Sequence, residues 1–178
     1  MSVDELAALV RTIPDFPKPG IQFRDVTTLL ADARGFAALV SQMASIARPL
    51  DPEFIVGIEA RGFILGAALA QVLGAGFVPV RKAGKLPGKT VSIDYVLEYG
   101  TDRLELHEGQ VPEGARVVLV DDLIATGGTA IAASQLLREQ GAAVLMALFA
   151  VDLPDLGGMA ALEREGVASR AIIAFAGH

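Results

Sequence analysis

The sequence contains no cysteine and only two histidines among its 178 residues. The absence of cysteine excludes disulfides, thiolate metal sites and cysteine nucleophiles. His107 and His178 are too few and too peripheral for a histidine-based catalytic site. The net charge is −6, so the overall field does not favour nucleic acid or an anionic membrane as a partner. A polyanionic substrate would therefore need a local cluster of positive charge.

The sequence predicts neither a secretion signal nor a membrane span. Asp4 and Glu5 stand where a signal peptide would carry positive charge, so we expect a cytoplasmic protein. Residues 62–80 carry no charge over 19 positions, close to the length of a membrane span. Glycines and a proline interrupt them, which favours a helix ending at Gly74 and a strand Phe77–Val80 instead.

Alternating strand and helix patterns predict an α/β fold. A chain that is 52% hydrophobic can bury a substantial core, and we expect residues 1–178 to form one domain. The pattern predicts a parallel sheet of about five strands with helices on both faces. The predicted strands are Phe54–Ile58, Phe77–Val80, Val117–Val120, Ala143–Val151 and Ala171–Phe175.

Three further segments complete the predicted architecture. Ile13–Asp25 contains three prolines and is predicted to be an irregular loop packed on the body. Thr90–His107 alternates apolar and polar residues, which predicts an antiparallel ribbon that could act as a mobile cover. A capping box at Ser2 and Glu5 predicts a short helix to about Arg11, and Asp155 is predicted to start a weaker helix.

The most informative stretch is RVVLVDDLIATGGT, residues 116–129. An apolar strand leads into Asp121 and Asp122, and a turn of small residues, Ala125–Thr129, then opens a helix. Glycines in such a turn allow consecutive N–H groups to face an anion, usually a phosphate. Two carboxylates beside a phosphate would be repelled by about 4 kcal/mol at 4 Å and an effective dielectric of about 20. A ribose diol or a divalent cation between them would resolve this, so the stretch suggests a ligand with phosphate and ribose, together with Mg²⁺.

Two other turns follow predicted strands and carry positive charge. Arg61 lies in Glu59-Ala60-Arg61, and KAGKLPGK contributes Lys82 and Lys85 beside Arg81. The carboxyl ends of parallel strands meet at one edge of a sheet, so these turns should converge with residues 121–129. The alternatives are an ordinary strand-to-helix turn with a solvated acidic pair and a solvated basic loop. A P-loop does not fit, because GxxxxGK[ST] is absent.

Six motifs, spread over nearly the whole chain, resemble those of the type I phosphoribosyltransferase family, most closely its adenine phosphoribosyltransferases. They are PDFPKPGIQFRD, GIEARGFILG, VRKAGKLPGK, YVLEYG, VVLVDDLIATGGT and LPDLGG. Ile124 stands where leucine is common, and Gln22 where a small apolar residue is often found. The resemblance implies transfer of the phosphoribosyl group of phosphoribosyl pyrophosphate (PRPP) to N9 of adenine, giving AMP and pyrophosphate in purine salvage. It also implies Mg²⁺, bound mainly through substrate and water, a homodimer, and a hood formed by residues 13–30 and 83–108.

The resemblance assigns roles to individual residues. The 5-phosphate would be bound by Ala125, Thr126, Gly127, Gly128 and Thr129, and the ribose hydroxyls by Asp121 and Asp122. Pyrophosphate would be bound by Glu59, Ala60, Arg61, Arg81, Lys82 and Lys85, with a cis peptide often found between the first two and with some basic residues supplied across a dimer interface in the family. Adenine would lie between Phe23 and Leu123, with the backbone near Gln22 and Arg24 contacting its polar edge.

Glu98 of the hood matches the family carboxylate that closes over the site. Attack by N9 requires adenine to lose a proton, which a carboxylate can accept. By chemistry alone other acids of the same segment compete with it: Asp94, Asp102, Glu105 and Glu108. We expect a dissociative displacement without a covalent protein nucleophile. The alternatives are a phosphoribosyltransferase for xanthine or guanine, and a regulatory protein that senses PRPP and binds DNA, for which the chain offers no basic helix or added domain.

Overall fold

A computed structural model describes residues 1–97 and 100–177. Within these residues it contains nine strands and six α-helices. The strands are β1 (Arg11–Pro14), β2 (Gln22–Asp25), β3 (Phe54–Ile58), β4 (Gly76–Lys82), β5 (Thr90–Leu97), β6 (Gly100–His107), β7 (Arg116–Ile124), β8 (Ala143–Asp152) and β9 (Ser169–Ala174). The helices are α1 (Val3–Ala8), α2 (Thr27–Ala31), α3 (Ala33–Ala47), α4 (Arg61–Leu73), α5 (Gly128–Glu139) and α6 (Gly158–Arg164).

The main sheet has the strand order β5-β6-β4-β3-β7-β8-β9. β4, β3, β7, β8 and β9 run parallel, which confirms the predicted α/β class and its parallel sheet. β5 and β6 form the predicted antiparallel ribbon, and Arg81 and Lys82 at the end of β4 pair with Glu105 and Leu104 of β6. β1 and β2 form a separate antiparallel hairpin.

Apolar clusters lie on both faces of the parallel strands. Leu119 of β7 packs in the same cluster as Leu136 of α5, whereas Val120, its neighbour in sequence, packs with Leu65 of α4. Successive side chains of a strand point to opposite faces, so a strand covered on both faces must be apolar at every position. The buried core therefore fixes the carboxyl ends of β3 and β7, from which the functional turns emerge.

The N-terminal caps agree with the sequence, and the end of α1 does not. The amide of Glu5 donates to the hydroxyl of Ser2, and Glu5 accepts from the amide of Ser2, which is the predicted capping box. α1 ends at Ala8 instead of near Arg11, because Arg11 already pairs with Asp25 in the hairpin. The uncharged segment 62–80 divides into α4 and β4, and no helix in residues 1–97 or 100–177 is long and apolar enough to cross a membrane.

Three further predictions about element boundaries were wrong, and one helix was not predicted. Ile13–Asp25 is not irregular throughout: its ends pair as a hairpin, while Phe16, Pro17 and the other central residues form the connection. β7 does not end at Val120 but continues to Ile124, since β8 extends alongside it. The last α-helix starts at Gly158 instead of Asp155, because Pro154–Leu156 forms a 3₁₀ turn. The short helix α2 was missed.

Candidate active site

The turn after β7 forms a small cavity at the start of α5. The cavity has a volume of ≈140 Å³ and is lined by Asp121, Leu123, Ile124, Ala125, Thr126, Gly127, Gly128, Thr129, Ala130 and Phe149. Gly127 precedes the helix with a φ of +89°, a left-handed conformation that favours glycine. All five residues predicted to bind the 5-phosphate therefore line one concave surface at a helix N-terminus, where backbone N–H groups and the helix dipole favour an anion.

Asp121 and Asp122 lie on the extended end of β7 and have different surroundings. Asp122 is buried and forms an ion pair with the guanidinium of Arg61, at the first position of α4. Asp121 borders the cavity and accepts a hydrogen bond from the amide of Asp122 at 2.9 Å. Burial, and then the charge of Asp122, raises the pKa of the Asp121 carboxyl well above its usual value. Asp121 is thus a carboxyl whose charge needs a compensating partner.

Gly62 explains how Arg61 comes so close to Asp122. A Cβ atom added at Gly62 would lie 2.8 Å from the carbonyl oxygen of Val120 and 3.0 Å from Oδ1 of Asp121. Only glycine allows the first turn of α4 to contact the end of β7 in this way. Burial acts to lower the pKa of Arg61, but the hydrogen bond and charge of Asp122 outweigh it and raise that pKa. Arg61 is therefore held charged beside the acidic pair.

Glu59 and Arg81 connect the turn after β3 to the end of β4. Arg81 donates from Nη2 to Oε1 of Glu59 at 3.1 Å and from Nε to Oε2 at 3.3 Å, and the amide of Lys82 donates to Oε2 at 2.8 Å. Burial opposes the charge of Glu59, yet these hydrogen bonds outweigh it and lower its pKa. The peptide between Glu59 and Ala60 is cis, as the resemblance implied.

Lys82 and Lys85, the two remaining basic residues of the predicted pyrophosphate site, lie apart from this cluster. The ammonium of Lys82 donates to the hydroxyl of Tyr95 at 2.7 Å and forms an ion pair with Asp102, so it holds the ribbon against β4. Neighbouring side chains of a strand point to opposite sides, which is why the side chain of Arg81 contacts Glu59 and that of Lys82 does not. Lys85 is exposed, and its carbonyl oxygen accepts from Arg81 at 3.3 Å.

The hairpin forms a second cavity beside Arg61. It has a volume of ≈360 Å³ and is lined by Ile13, Phe16, Phe23, Arg24, Asp25, Thr27 and Arg61. The rings of Phe16 and Phe23 meet edge to face with centroids 5.2 Å apart. Phe23 lines this cavity, whereas Leu123, the other predicted adenine contact, lines the cavity at the start of α5.

The polar residues of the hairpin are held by the body of the protein. Arg24 donates to the hydroxyl of Thr12 at 2.6 Å and lies over the ring of Phe175, so its side chain anchors the hairpin to the chain end. Gln22 is half-buried and pairs with Pro14 in the hairpin. The resemblance assigns only the backbone near Gln22 and Arg24 to the base, and this backbone is part of β2.

Asp25 is a buried acid of the hairpin that sequence reasoning did not single out. Its carboxylate accepts from the hydroxyl of Thr27 at 2.6 Å and forms an ion pair with Arg11. The hydrogen bonds from Thr27 and then from Arg11 lower the pKa of Asp25 from its ordinary 3.8 to about 2. A sequence signal existed, because Asp25 and Thr27 have the spacing of an Asx turn.

Glu98, the predicted proton carrier, lies outside the described residues. In residues 1–97 and 100–177, no group of three or more histidine, aspartate or glutamate side chains is arranged to hold a metal ion. The carboxyl group of Asp121 lines the cavity at the start of α5, and Asp122 follows it in the sequence. An ion at this site would take its remaining oxygen ligands from substrate and water, the ligand set that Mg²⁺ commonly uses.

Comparison with known proteins first identifies the class. The family model of the phosphoribosyl transferase domain matches residues 25–155, which include the cavity at the start of α5, Asp121, Asp122 and the basic turns. An adenine phosphoribosyltransferase of Sphingopyxis alaskensis is 62% identical over 97% of this chain and 94% of its own length.

Two solved structures with a similar fold are both adenine phosphoribosyltransferases. The adenine phosphoribosyltransferase of Thermoanaerobacter pseudethanolicus has a TM-score of 0.93 at 45% identity and covers 98% of this chain and 100% of its own. That of Saccharomyces cerevisiae, complexed with an imino-altritol bisphosphate and adenine, has a TM-score of 0.91 at 36% identity, covering 96% and 98%. The chain belongs to the adenine phosphoribosyltransferase family, the transferases that form AMP in purine salvage. The predicted family, fold class and reaction are confirmed.

Proposed function

We propose that this chain binds PRPP and adenine in the crevice at the carboxyl ends of β3, β4 and β7 and there transfers the phosphoribosyl group to N9 of adenine. One observation carries the proposal: an acidic pair, Asp121 and Asp122, leads directly into an anion-sized cavity at the start of α5. A ligand that carries a phosphate and a sugar diol a few ångströms apart is complementary to that arrangement. The proposed products are AMP and pyrophosphate.

The phosphate half of the proposed site is formed by the phosphate loop, residues 125–129. The N–H groups of the loop and the first turn of α5 would bind the 5-phosphate, while Asp121 and Asp122 accept hydrogen bonds from the ribose hydroxyls. The raised pKa of Asp121 supports this role, because hydroxyl donors or a nearby cation would stabilise its charged form.

The pyrophosphate half is proposed at Glu59, Ala60 and Arg61 together with Arg81, Lys82 and Lys85. Arg61 stands next to the ribose-binding acids, so it would contact the leaving pyrophosphate where the bond to the anomeric carbon breaks. Arg81 would release its hydrogen bonds to Glu59 and donate to a phosphate oxygen instead. Lys82 would contribute only if it left Tyr95 and Asp102, with which it is paired.

Mg²⁺ is part of the proposal and would supply positive charge to the phosphates of PRPP when bound. Asp121 and Asp122 are the residues next to which it would lie, with water and substrate oxygens completing its ligands. Their oxygen donors fit a hard cation, and the raised pKa of Asp121 fits a site that gains stability from added positive charge.

The base half is proposed at the hairpin. Phe23 would stack on adenine from one side and Leu123 from the other, with the backbone of Gln22 and Arg24 contacting its polar edge. Positive charge develops on the ribose ring in a dissociative transfer, and Glu98 would accept the proton that N9 must lose. Residues 13–30 and 83–108 would form a hood that excludes water and so limits hydrolysis of PRPP.

The decisive experiment measures AMP formation from adenine and PRPP with and without Mg²⁺, followed by chromatography. The proposal expects Mg²⁺-dependent AMP and pyrophosphate in equal amounts. Guanine and xanthine are tested beside adenine as alternative substrates. Faster turnover with either of them would show that adenine is not the base that this chain uses. PRPP binding without turnover of any purine would favour a regulatory protein.

Glu98 is tested separately. Replacement by glutamine keeps the shape of the side chain and removes its ability to accept a proton at neutral pH. We expect Glu98→Gln to lower kcat about 10²-fold with little change in the KM for PRPP. Asp94→Asn is the matched control, because Asp94 is an exposed acid of the same ribbon paired with Arg103. Full turnover by Glu98→Gln would refute the assigned role.

Assembly as a homodimer in the cytoplasm completes the proposal. An apolar groove of ≈500 Å³ between α3 and α4 supports a self-association surface, and the side chain of Val72 beside it is 44% exposed. A chain without cysteine suits a reducing compartment. Analytical ultracentrifugation of the purified protein and of Val72→Glu, together with cell fractionation, tests both statements. A monomeric wild-type protein would refute the dimer.

A further inference from the structure

We propose that residues 153–158, the brace segment, position the phosphate loop, and that Gly158 sets its distance from that loop. The inference rests on the proposed function, since it concerns how the loop that would hold the 5-phosphate is oriented. The brace segment runs from the end of β8 to the first residue of α6 and is the motif LPDLGG, to which sequence reasoning assigned no role.

Two backbone hydrogen bonds join the brace segment to the start of the turn after β7. The amide of Leu153 donates to the carbonyl oxygen of Ile124 at 3.1 Å, and the amide of Gly158 donates to that of Ala125 at 3.0 Å. Two consecutive carbonyls of the turn therefore point towards the brace segment.

Because the peptide bond is planar, these hydrogen bonds also determine the direction of the N–H groups in the turn. In a trans peptide the C=O and the following N–H point in opposite directions. Because the carbonyls of Ile124 and Ala125 face the brace segment, the N–H groups of Ala125 and Thr126 face away from it. The cavity lies on that side, since Ala125 and Thr126 line it and no residue of the brace segment does. The brace segment thus directs two donors into the proposed phosphate site.

The contact between the two segments is backbone against backbone. A Cβ added at Gly158 would lie 2.4 Å from the carbonyl oxygen of Ala125 and 3.0 Å from the amide nitrogen of Gly127. A Cβ added at Gly127 would lie 2.9 Å from the carbonyl oxygen of Gly158. Cγ1 of the Ile124 side chain would also lie 2.6 Å from a Cβ at Gly158, but the other neighbours are main-chain atoms that cannot rotate aside. A methyl group at Gly158 must therefore displace the phosphate loop.

The experiment compares Gly158→Ala with wild type in steady-state kinetics of AMP formation, with each substrate varied in turn. Alanine favours a helix more than glycine does, so the substitution should not weaken the start of α6 itself. The 5-phosphate is bound equally well in the ground state and in the transition state, so weaker binding of this group raises KM and leaves kcat unchanged. We expect the KM for PRPP to rise about tenfold, equivalent to roughly 1.4 kcal/mol, with kcat and the KM for adenine within about twofold.

Gly35→Ala is the matched control. It also adds a methyl group in the first turn of a helix, but the nearest atoms are the ends of the Leu9 and Leu29 side chains, away from the site. Its KM values should equal those of wild type. A second variant, Pro154→Gly, loosens the brace segment without a clash and should raise the KM for PRPP in the same direction, so the test does not depend on Gly158→Ala being folded.

The outcomes separate this inference from the proposed function. The inference is refuted if the wild type is active and the KM for PRPP is unchanged both in folded Gly158→Ala and in Pro154→Gly. An equal rise of the KM for PRPP and the KM for adenine also refutes it, because that result indicates a general distortion of the active site. Wild type that forms no AMP refutes the proposed function itself.

Discussion

The two halves of the proposed site are constructed differently. The phosphate half is formed mainly by the backbone at one strand end and one helix start, and its acids are buried or half-buried. The base half depends mainly on side chains, above all the ring of Phe23 on the two-stranded hairpin, and Phe16 at its edge is 50% exposed. A backbone site has its geometry set by the core, whereas a side-chain site depends on contacts between distant segments. Substitutions should therefore affect the two substrates separately.

The largest effect is expected for Arg61→Ala. It removes the cation that the proposal places beside the breaking bond, and it leaves the buried carboxylate of Asp122 without its ion-pair partner. We expect kcat/KM to fall about 10³-fold, as for loss of a charged transition-state contact, and the free energy of unfolding to fall by about 1–3 kcal/mol. Arg116→Ala is the control, since Arg116 has a similar exposure and pairs with Asp51 and Glu53 at the opposite end of β7. Kinetics and urea unfolding measure both quantities, and equal activity losses in the two variants would contradict the assignment.

The separation of the two halves is tested next with Phe23→Ala. Loss of an aromatic stacking partner for a base costs about 1–3 kcal/mol, so the KM for adenine should rise about 30-fold while that for PRPP stays the same. Phe16→Ala, which removes only the ring that packs edge to face on Phe23, should give a smaller rise of the same kind. If either variant changed the KM for PRPP by as much as that for adenine, the two halves would not be independent.

Lys82 links the basic cluster to the ribbon, and Asp102→Asn distinguishes its two possible roles. If Lys82 acts mainly through its pairing with Asp102 and Tyr95, the substitution loosens the ribbon and lowers kcat up to about fivefold, the range of a partly exposed ion pair. If Lys82 is mainly a pyrophosphate ligand, freeing it would instead lower the KM for PRPP. Asp94→Asn, which breaks an exposed ion pair of the same ribbon, is the control.

The smallest effect concerns the acid dependence of stability. The pKa of Asp25 is lowered to about 2 from 3.8, so its ionised form stabilises the fold above that ordinary value, and the contribution disappears as the pH falls towards 2. After solvent screening we expect Asp25→Asn to lose about 1 kcal/mol at neutral pH and nothing near pH 2. Asp51→Asn, with a 91% exposed side chain in an ion pair, is the control. Urea unfolding across this pH range provides the measurement, and a constant difference would exclude Asp25 as its source.

Asp121 should behave in the opposite sense. Its pKa is raised, so deprotonation costs stability as the pH rises from the ordinary aspartate value through the raised pKa. Asp121→Asn is therefore expected to be more stable than wild type at neutral pH although less active. Comparison of its thermal midpoint with that of Asp25→Asn gives shifts of opposite sign if the pKa directions are right.

Local sequence patterns were sufficient to predict the parallel strands and the glycine-containing turn after β7. The apolar run before Asp121 and the glycines after it reflect local backbone requirements, and the structure places them accordingly. The same locality explains the errors. The hairpin between Arg11 and Asp25 depends on pairing across its connection, and the extension of β7 to Ile124 depends on β8, whose length cannot be read from residues 116–124.

The contacts that hold the site together were the least predictable part. Gly62 is required by the approach of α4 to β7, and Gly158 by the approach of the brace segment to the phosphate loop. Both glycines stand near helix starts, where glycine is unremarkable, so only three-dimensional proximity shows the reason for them. The ion pair of Lys82 with Asp102 joins residues twenty positions apart for the same reason.

The alternation of Arg81 and Lys82 at the end of β4 also limits how this gene can change length. Arg81 faces Glu59 and Lys82 faces the ribbon because they occupy adjacent positions of a strand with a two-residue repeat. Insertion of one codon between Val80 and Arg81 would place Arg81 on the side of the ribbon, away from Glu59, while one codon inserted at the exposed turn around Gly109 would leave both residues in place. Length variants selected for growth on adenine should therefore tolerate codon changes at the second position and reject them at the first.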